Sequence, residues 1–208
     1  MQAFRRHQGI AAPLLRENID TDAIIPSREM KTVTKHGLAD GLFAGWRYRG
    51  SGGREPAPDF VLNWGAYRGA SVLLAGVNFG CGSSREHAVW ALQEFGFRAI
   101  LAPSFGAIFA ANCVRNGVLA AVVDEASLHT LAAWVEPDPQ ARQLVIDLEQ
   151  GRVLTEGLSY PFEIGGAARE ALLEGRDPIA ALLAFEDRIE VWEAADRKLR
   201  PWLYEPGG

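Results

Sequence analysis

Residues 71–95 read SVLLAGVNFGCGSSREHAVWALQEF, and they join an apolar run to a helical segment through a glycine-rich turn. The run at 71–79 is of the continuous apolar kind that is typical of a strand. From Arg85 onward, apolar residues recur at helical spacing, with Ala88, Leu92 and Phe95 on one face, and Gly96 is a stop signal. The stretch therefore predicts a strand, a turn and a helix in succession.

The same alternation continues downstream. RAILAP at 98–103 predicts a strand, 104–116 a helix ending at Gly117, and VLAAVV at 118–123 another strand. Asp124 then has the position of an N-cap for a helix that runs to about residue 135. Strands and helices in alternation favour parallel pairing with right-handed crossovers, so the fold class is α/β.

The flanking regions differ in composition. IAAPLL at 10–15 predicts a strand, and a polar loop leads to a second apolar piece, AIIP, that Pro26 closes. Residues 35–58 read as an irregular loop region. Residues 143–155 predict a hairpin around Gln150 and Gly151, YPFEI at 160–164 a short strand, and the part from about 166 to 208 a helical extension. Its second helix would be capped by Asp177, with Pro178 at the first helical position. We expect one domain over 1–208.

Composition excludes several classes of protein. The chain has 208 residues, 48% of them hydrophobic, with a formal net charge of −5 and a pI near 5.4. An acidic balance disfavours non-specific binding to nucleic acid or to anionic membranes. Without an apolar signal segment or a membrane-length apolar run, the sequence predicts a cytoplasmic protein. Its two cysteines, Cys81 and Cys113, are expected to be free thiols, too few for an iron-sulfur cluster or a structural zinc site.

The turn GCGSS has the parts of an anion site. A glycine-rich turn before a helix exposes backbone amides at the positive end of the helix dipole. Gly80 and Gly82 leave room for a ligand, Ser83 and Ser84 supply hydroxyls, and Arg85 supplies a fork that suits a carboxylate.

A structural alternative explains the same residues without a ligand. Ser83 and Glu86 have the S-x-x-E spacing of a capping box, which only starts a helix. The turn also lacks the dinucleotide fingerprint, the lysine of a P-loop and the G-x-S-x-G nucleophile elbow. Nucleotide binding and serine-hydrolase chemistry are therefore disfavoured.

Two long motifs, GVNFGCGSSREHA at 76–88 and RAILAPSFGAIFAANCVRNG at 98–117, resemble the signature of the swivelling domain of the aconitase superfamily. The resemblance extends over nearly the whole chain, to NIDTDAIIP at 18–26, DFVLN at 59–63, VIDLE at 145–149 and ALLEGRDPIAALLAFEDRIEVWE at 171–193. It implies a three-layer β/β/α fold. Within the superfamily, a free-standing chain of this size is similar to the small subunits of bacterial 3-isopropylmalate dehydratases.

That resemblance implies a heteromeric hydro-lyase of leucine biosynthesis, which isomerises 2-isopropylmalate to 3-isopropylmalate through isopropylmaleate. In such enzymes the large subunit carries a four-iron four-sulfur cluster, whose iron acts as Lewis acid on the departing hydroxyl group. We therefore expect this chain to bind no cofactor itself and to be active only with a large subunit.

The resemblance also implies roles for individual residues. Ser83 matches the family's catalytic base, and a serine can serve as one only if donors hold its alkoxide. Ser84 and Arg85 match positions that bind a substrate carboxylate. Asp22 matches the active-site aspartate, although an Asx-turn before AIIP would also explain it.

A recognition loop follows Asp22 in the family, and REMKT occupies it here. Met30 is expected to contact the isopropyl group and Lys31 a carboxylate, with Arg28 as an alternative cation and a solvated surface charge as the structural alternative. Cys81 is read as a packing residue, and His87 as a residue that supports the turn.

Two further functions stay open on sequence grounds. A related hydro-lyase, such as a homoaconitase or a methylmalate or citraconate hydratase, would use the same scaffold with a different pocket around Met30 and Lys31. A non-catalytic anion-binding module would use GSSRE only as a capped helix start.

Overall fold

The computed structural model of the chain describes residues 1–30, 34–50, 52–175, 183 and 185–204. They belong to two compact units, Met1–Gly175 and Arg176–Gly208. The unit boundary falls after the first helix of the predicted extension. That the whole chain acts as one domain remains a prediction.

The described strands are β1 Arg6–Gly9, β2 Ala11–Leu14, β3 Val72–Ala75, β4 Ala99–Ala102, β5 Leu119–Val122, β6 Leu144–Asp147, β7 Arg152–Leu154 and β8 Ser159–Pro161. The described α-helices are α1 Thr21–Ile24, α2 Ala44–Arg47, α3 Glu86–Phe95, α4 Ala107–Arg115, α5 Glu125–Val135, α6 Gly166–Glu174 and α7 Glu186–Leu199. Short 3-10 turns occupy Ser27–Glu29, Ala39–Gly41, Val61–Asn63, Gly65–Tyr67 and Pro201–Leu203.

Strands β2 to β5 form a parallel sheet in sequence order, as the alternation of strands and helices predicts. Its side chains alternate between two hydrophobic cores. In β3, Leu73 and Ala75 join the core under α3 and α4, while Val72 and Leu74 join the core on the opposite face. A strand that is buried on both faces needs apolar residues at every position, which explains the continuous apolar run.

Strands β1, β6, β7 and β8 form a second, antiparallel sheet. Leu144, Ile146 and Val153 face the second core, where they meet the parallel sheet and residues of α5 and α6. The first unit is thus layered as sheet, sheet and helices, and the predicted three-layer β/β/α architecture is confirmed.

Most predicted boundaries match the structure within a few residues. Gly96, at φ 122°, ends α3, and the Asp124 side chain caps α5 by accepting from the Ser127 amide at 2.9 Å. Gly175 in the left-handed region ends α6. The short strand β8 begins slightly earlier than predicted, and Asp177 and Pro178 lie outside the described residues.

The structure adds detail to two N-terminal regions. The apolar piece AIIP begins within α1, a single helical turn that Asp20 caps with a hydrogen bond from the Ala23 amide at 2.7 Å. The region 35–58, expected to be an irregular loop, contains the 3-10 turn Ala39–Gly41 and the short helix α2 at Ala44–Arg47, and its described glycine-rich part is exposed. Leu42 and Phe43, however, are fully buried in the core under α3.

The described part of the second unit consists of α7 and the turn that follows it. The Asp196 carboxylate connects the helix to this turn, because it accepts hydrogen bonds from the Arg200 guanidinium group and from the Tyr204 hydroxyl, the latter at 2.9 Å. Among the described residues, no helix has the length and apolar character needed to cross a membrane.

Glu94 on α3 holds the start of the Ala39–Gly41 turn. Its carboxylate accepts from the backbone amides of Gly37 at 2.7 Å, Leu38 at 2.5 Å and Ala39 at 2.9 Å. Burial opposes ionisation of this carboxyl group, but the three amides and the nearby His36 outweigh it and hold the pKa of Glu94 below its ordinary value.

We expect Glu94→Gln to lower the free energy of unfolding by about 1 kcal/mol at neutral pH, a value reduced for exposure to solvent. Because the folded-state pKa is depressed, this stabilisation is present above the unfolded pKa and is lost as pH falls through the folded pKa. Urea unfolding of both proteins at neutral and acidic pH measures the difference, with Glu17→Gln as the exposed control. If the difference in unfolding free energy between the original chain and Glu94→Gln grows toward acidic pH, the ionised Glu94 carboxylate does not stabilise the fold.

Candidate functional site

The glycine-rich turn leaves the parallel sheet at the carboxyl end of β3, the edge at which ligands of α/β sheets bind. Three of its residues adopt left-handed backbone, Asn78 at φ 59°, Gly80 at φ 72° and Gly82 at φ 91°. Such conformations are uncommon for residues with a Cβ atom, so they account for the glycines in this stretch.

The turn is paired along its length with the segment that follows β2. The Asn18 amide donates to Val77 O at 2.8 Å, and the Gly80 amide donates to Ile19 O at 2.7 Å. The Thr21 amide then donates to Cys81 O at 3.0 Å. This backbone pairing explains how NIDTD and GCGSS, far apart in the chain, come to lie side by side.

The expectation that Gly80 leaves room for a ligand is wrong. A Cβ atom built on it would lie 2.2 Å from the Phe109 ring, and a Cβ atom on Gly106 would lie 2.5 Å from Gly80 O. Gly80 therefore makes room for packing against α4 rather than for a ligand. Gly82 is exposed, and a Cβ atom there would meet Asp20 only at ordinary contact distance.

Ser83 lies on the surface beside the buried Thr21. The two hydroxyl oxygens are 3.1 Å apart, and the Thr21 hydroxyl also lies 3.2 Å from Ser83 O, to which it can donate. Thr21 is 1% exposed, so its hydroxyl is held by the protein rather than by solvent. Ser83 thus presents an accessible hydroxyl group backed by a fixed neighbour.

The capping-box interpretation of Ser83 and Glu86 is wrong. Helix α3 begins at Glu86 with Arg85 as its N-cap, and no side-chain hydrogen bond caps it. The Arg85 amide donates to Ser83 O at 2.8 Å, a tight turn that keeps Ser83 outside the helix. Glu86 instead accepts from the Asn116 side chain at 2.8 Å. The Ser83 hydroxyl is therefore not used to start the helix.

Arg85 and Asp22 form an ion pair across the paired segments. The Arg85 side chain is 26% exposed and that of Asp22 is 59% exposed, so the pair stands at the rim of the site. The Asx-type role considered for Asp22 belongs to Asp20, which caps α1. The structure thus brings together Asp22, Arg85 and Ser83, and it places the exposed Ser84 in the same loop.

The recognition-loop residues are placed only in part. Met30 is half-buried and packs against the core under α3, and Lys31 lies outside the described residues. Arg28 lies 3.4 Å from a carboxylate oxygen of Glu29, which also pairs with Arg54. Arg28 thus has a partner within the chain, and the assignments of Met30 and Lys31 stay predictions.

Three other residues considered in the sequence, Cys81, Cys113 and His87, are partly or fully buried. Cys81 is half-buried, and both cysteines are free, as expected. Cys113 is buried in the core, where desolvation raises the pKa of its thiol. The His87 ring packs on Trp90 with centroids 4.7 Å apart.

The described residues bring together no set of side chains that could hold an iron-sulfur cluster. Across the part of the chain that the structure describes, no group of three or more His, Cys, Asp or Glu side chains could hold a metal ion. Cys113 faces the core, away from solvent, and cannot join Cys81 as a ligand without unpacking α4.

Two residues that contact the site or its helix, Thr21 and Asn116, were not predicted from the sequence. Thr21 was a neighbour of Asp22 in the motif, but only the pairing of the two segments shows that its hydroxyl meets Ser83. Asn116 follows the last residue of α4 and contacts Glu86 from there. No local pattern reports such a contact, because the residues are 30 positions apart.

Ser83 lies at an exposed position among the described residues. Cavities of about 540 and 460 Å³ in the first unit are lined by other residues, one around Trp64 and Tyr67 and the other around Val114 and Ile164. Ser83 and Ser84 are both exposed. A reaction at Ser83 would therefore need a second surface to exclude water.

Known proteins resemble this chain over its whole length. The family model of the aconitase C-terminal domain matches residues 1–126. The 3-isopropylmalate dehydratase small subunit of Cupriavidus necator is 58% identical over 208 residues, covering 100% of both chains. That of Koribacter versatilis is 47% identical over 196 residues, covering 94% of this chain and 99% of the relative.

A solved structure agrees with these sequence matches. The crystal structure of 3-isopropylmalate dehydratase from Methanocaldococcus jannaschii aligns with a TM-score of 0.61 at 26% identity, covering 92% of this chain and 99% of the other. The layered sheets, the turn after β3 and the full-length sequence matches agree with one another. The chain belongs to the family of 3-isopropylmalate dehydratase small subunits, on the fold of the aconitase C-terminal domain.

Proposed function

We propose that this chain is the small subunit of a hydro-lyase that interconverts 2-isopropylmalate and 3-isopropylmalate through isopropylmaleate, in leucine biosynthesis. The observation that carries the proposal is the exposed Ser83 hydroxyl, which is free of any helix cap and lies beside Thr21 and the Arg85–Asp22 pair. Full-length relatives at 47% and 58% identity that bear this name support the choice of reaction.

Ser83 acts as the base in this proposal. Ser83 is exposed, so its hydroxyl proton can pass to solvent and leave the alkoxide. On dehydration this alkoxide would take the proton from the carbon next to a substrate carboxylate and become a hydroxyl group, and on rehydration the hydroxyl group would return a proton to carbon. A serine alkoxide is unstable in water, so its formation requires donors that are already in place. The Thr21 hydroxyl, 3.1 Å away, can turn its proton from Ser83 O to Ser83 Oγ when the charge develops.

Arg85 and Ser84 hold the substrate carboxylate. A guanidinium group has five N–H donors, so the bond from Arg85 to Asp22 leaves others to donate to a second carboxylate. Asp22 orients the guanidinium group in this arrangement, and the neighbouring Ser84 hydroxyl adds one neutral hydrogen bond. Met30 and Lys31 complete the proposal, with Met30 against the isopropyl group and Lys31 at a carboxylate.

The proposal includes a partner. Because Ser83 is exposed and this chain assembles no cluster ligands among its described residues, a large subunit would cover the site and carry the four-iron four-sulfur cluster. This division of labour makes the small subunit inactive alone. We also propose a cytoplasmic location, because free thiols such as those of Cys81 and Cys113 stay reduced there.

Assembly with a reconstituted large subunit tests the function. The purified chain and the large subunit should each be inactive, and the mixture should convert isopropylmalate with the appearance of the ultraviolet absorbance of the unsaturated intermediate. The panel of substrates includes homoaconitate, methylmalate and citraconate. Turnover of one of these in preference to isopropylmalate would reject the proposed substrate, and no turnover of any would reject the function.

A further inference from the structure

The loop that carries Ser83 and Arg85 leads directly into α3, so the start of that helix sets where the loop ends. The N-cap Arg85 makes no side-chain capping bond, and its guanidinium group is directed to Asp22. Glu86, the first helical residue, is therefore the point at which another part of the protein can fix the helix start.

That part is Asn116, which follows α4 and is 6% exposed. Its side-chain nitrogen donates to a Glu86 carboxylate oxygen at 2.8 Å and to Asn112 O at 2.9 Å. Its side-chain oxygen accepts from Lys35 Nζ and Trp90 Nε1, each at 3.1 Å. Both N–H donors and both acceptor sites of the Asn116 side-chain amide are thus occupied.

A buried amide with every position used has one favourable orientation, because turning it over would set donor against donor and acceptor against acceptor. The backbone oxygen of Asn116 adds a fifth contact, as it accepts from Gln93 Nε2 at 2.7 Å. Trp90 and Gln93 both belong to α3. One residue therefore holds the helix at its first residue and along its following turns.

We propose that Asn116 is a positioning residue for the catalytic loop: by holding Glu86 it fixes the start of α3 and so the placement of Ser83 and Arg85. The catalytic part of this inference rests on the proposed function. Asn116 does not touch the substrate in this account. Its effect passes through Glu86 to residues that do.

The substitution Asn116→Asp tests the contact with little change of shape. The new carboxylate keeps its acceptor role toward Lys35 and Trp90, but it faces the Glu86 carboxylate and Asn112 O without a donor. With large subunit present, at a pH well above the pKa of both carboxyl groups, kcat should fall by about 10- to 100-fold, because small misplacements of a reacting group cost that much. The effect on KM should be smaller.

The double variant Asn116→Asp with Glu86→Gln provides the rescue. It moves the donor to the other side of the same contact, since the amide introduced at position 86 can donate to the carboxylate introduced at position 116. Most of the lost kcat should therefore return.

The matched control is Asn63→Asp. The Asn63 side-chain amide also donates to two carbonyl oxygens, Arg47 O at 2.7 Å and Ala57 O at 2.9 Å, but it lies outside the site. This control should lose stability and keep its kcat.

Hydrogen exchange of the free chain gives a readout that does not depend on activity. Amides at the start of α3 should exchange faster in Asn116→Asp, return toward the original rate in the double variant, and stay unchanged in Asn63→Asp. If Asn116→Asp does not fold, Glu86→Ala, at a half-buried position, should show the same faster exchange. Unchanged exchange, or a defect in kcat that Glu86→Gln does not relieve, would overturn the inference, whereas an unaltered complex without turnover would overturn only the proposed reaction.

Discussion

Replacing Ser83 with Ala should lower the kcat of the assembled enzyme by about 100- to 10,000-fold, the usual contribution of a general base. The hydroxyl is exposed and makes no helix cap, so the chain should fold and assemble normally. The loss of stability should be about 1 kcal/mol, the value of the one hydrogen bond to Thr21. Steady-state kinetics of the complex and urea unfolding of the free chain measure the two effects.

Thr21→Val is the control for this experiment, because it removes the same hydrogen bond, together with the one from Thr21 to Ser83 O, but leaves the Ser83 hydroxyl in place. It should cost somewhat more stability than Ser83→Ala and a smaller part of the rate, since it removes one donor to the alkoxide rather than the base. Ser83→Ala turnover close to that of the unaltered complex would remove Ser83 from the mechanism. Equal rate losses in the two variants would instead assign the effect to the hydrogen bond.

Arg85→Lys should raise KM by about 10- to 100-fold, equivalent to losing a charged hydrogen bond of about 1.5 to 3 kcal/mol. Lysine keeps the charge but lacks the planar fork that can serve Asp22 and a substrate carboxylate together. Because the carboxylate is bound in both the ground state and the transition state, kcat should change less than KM. Initial rates over a range of isopropylmalate concentrations separate the two parameters.

Arg5→Lys is the control for the Arg85 variant. Arg5 also pairs with a carboxylate, that of Glu149, but near the antiparallel sheet and outside the site. Its replacement should leave KM unchanged. If Arg85→Lys also leaves KM unchanged, the substrate carboxylate is bound elsewhere and Lys31 or Arg28 becomes the better candidate.

The parallel sheet was predictable because its signals are local. Each of β3, β4 and β5 is a continuous apolar run, and each helix between them ends next to a glycine, Gly96 after α3 and Gly117 shortly after α4. The pairing of β1 with β6 was not predictable in the same way. Their partners, such as Arg6 and Asp147, are far apart in the chain, and the register depends on the whole second core.

The candidate site was predictable in its residue types but not in its contacts. Motif resemblance named Ser83, Arg85 and Asp22, and the local pattern S-x-x-E suggested a capping box that the structure does not form. The helix starts at Glu86, later than that pattern implies, and the Glu86 carboxylate accepts from Asn116, a residue beyond a different helix, instead of from the turn. A local sequence pattern cannot include a competitor that tertiary folding brings in.

The amino-acid sequence alone therefore predicted the strands of the parallel sheet from β2 to β5, the helices between and after them, the family and the chemical groups of this protein, since periodicity, glycines and caps act within a few residues. Only the tertiary structure decided how those groups are used. Thr21 and Ser83 are 62 positions apart, and their hydroxyls meet because backbone amides at Asn18, Gly80 and Thr21 pair the two segments. That pairing needs both segments at one edge of a formed sheet, and so it leaves no local signal in the sequence.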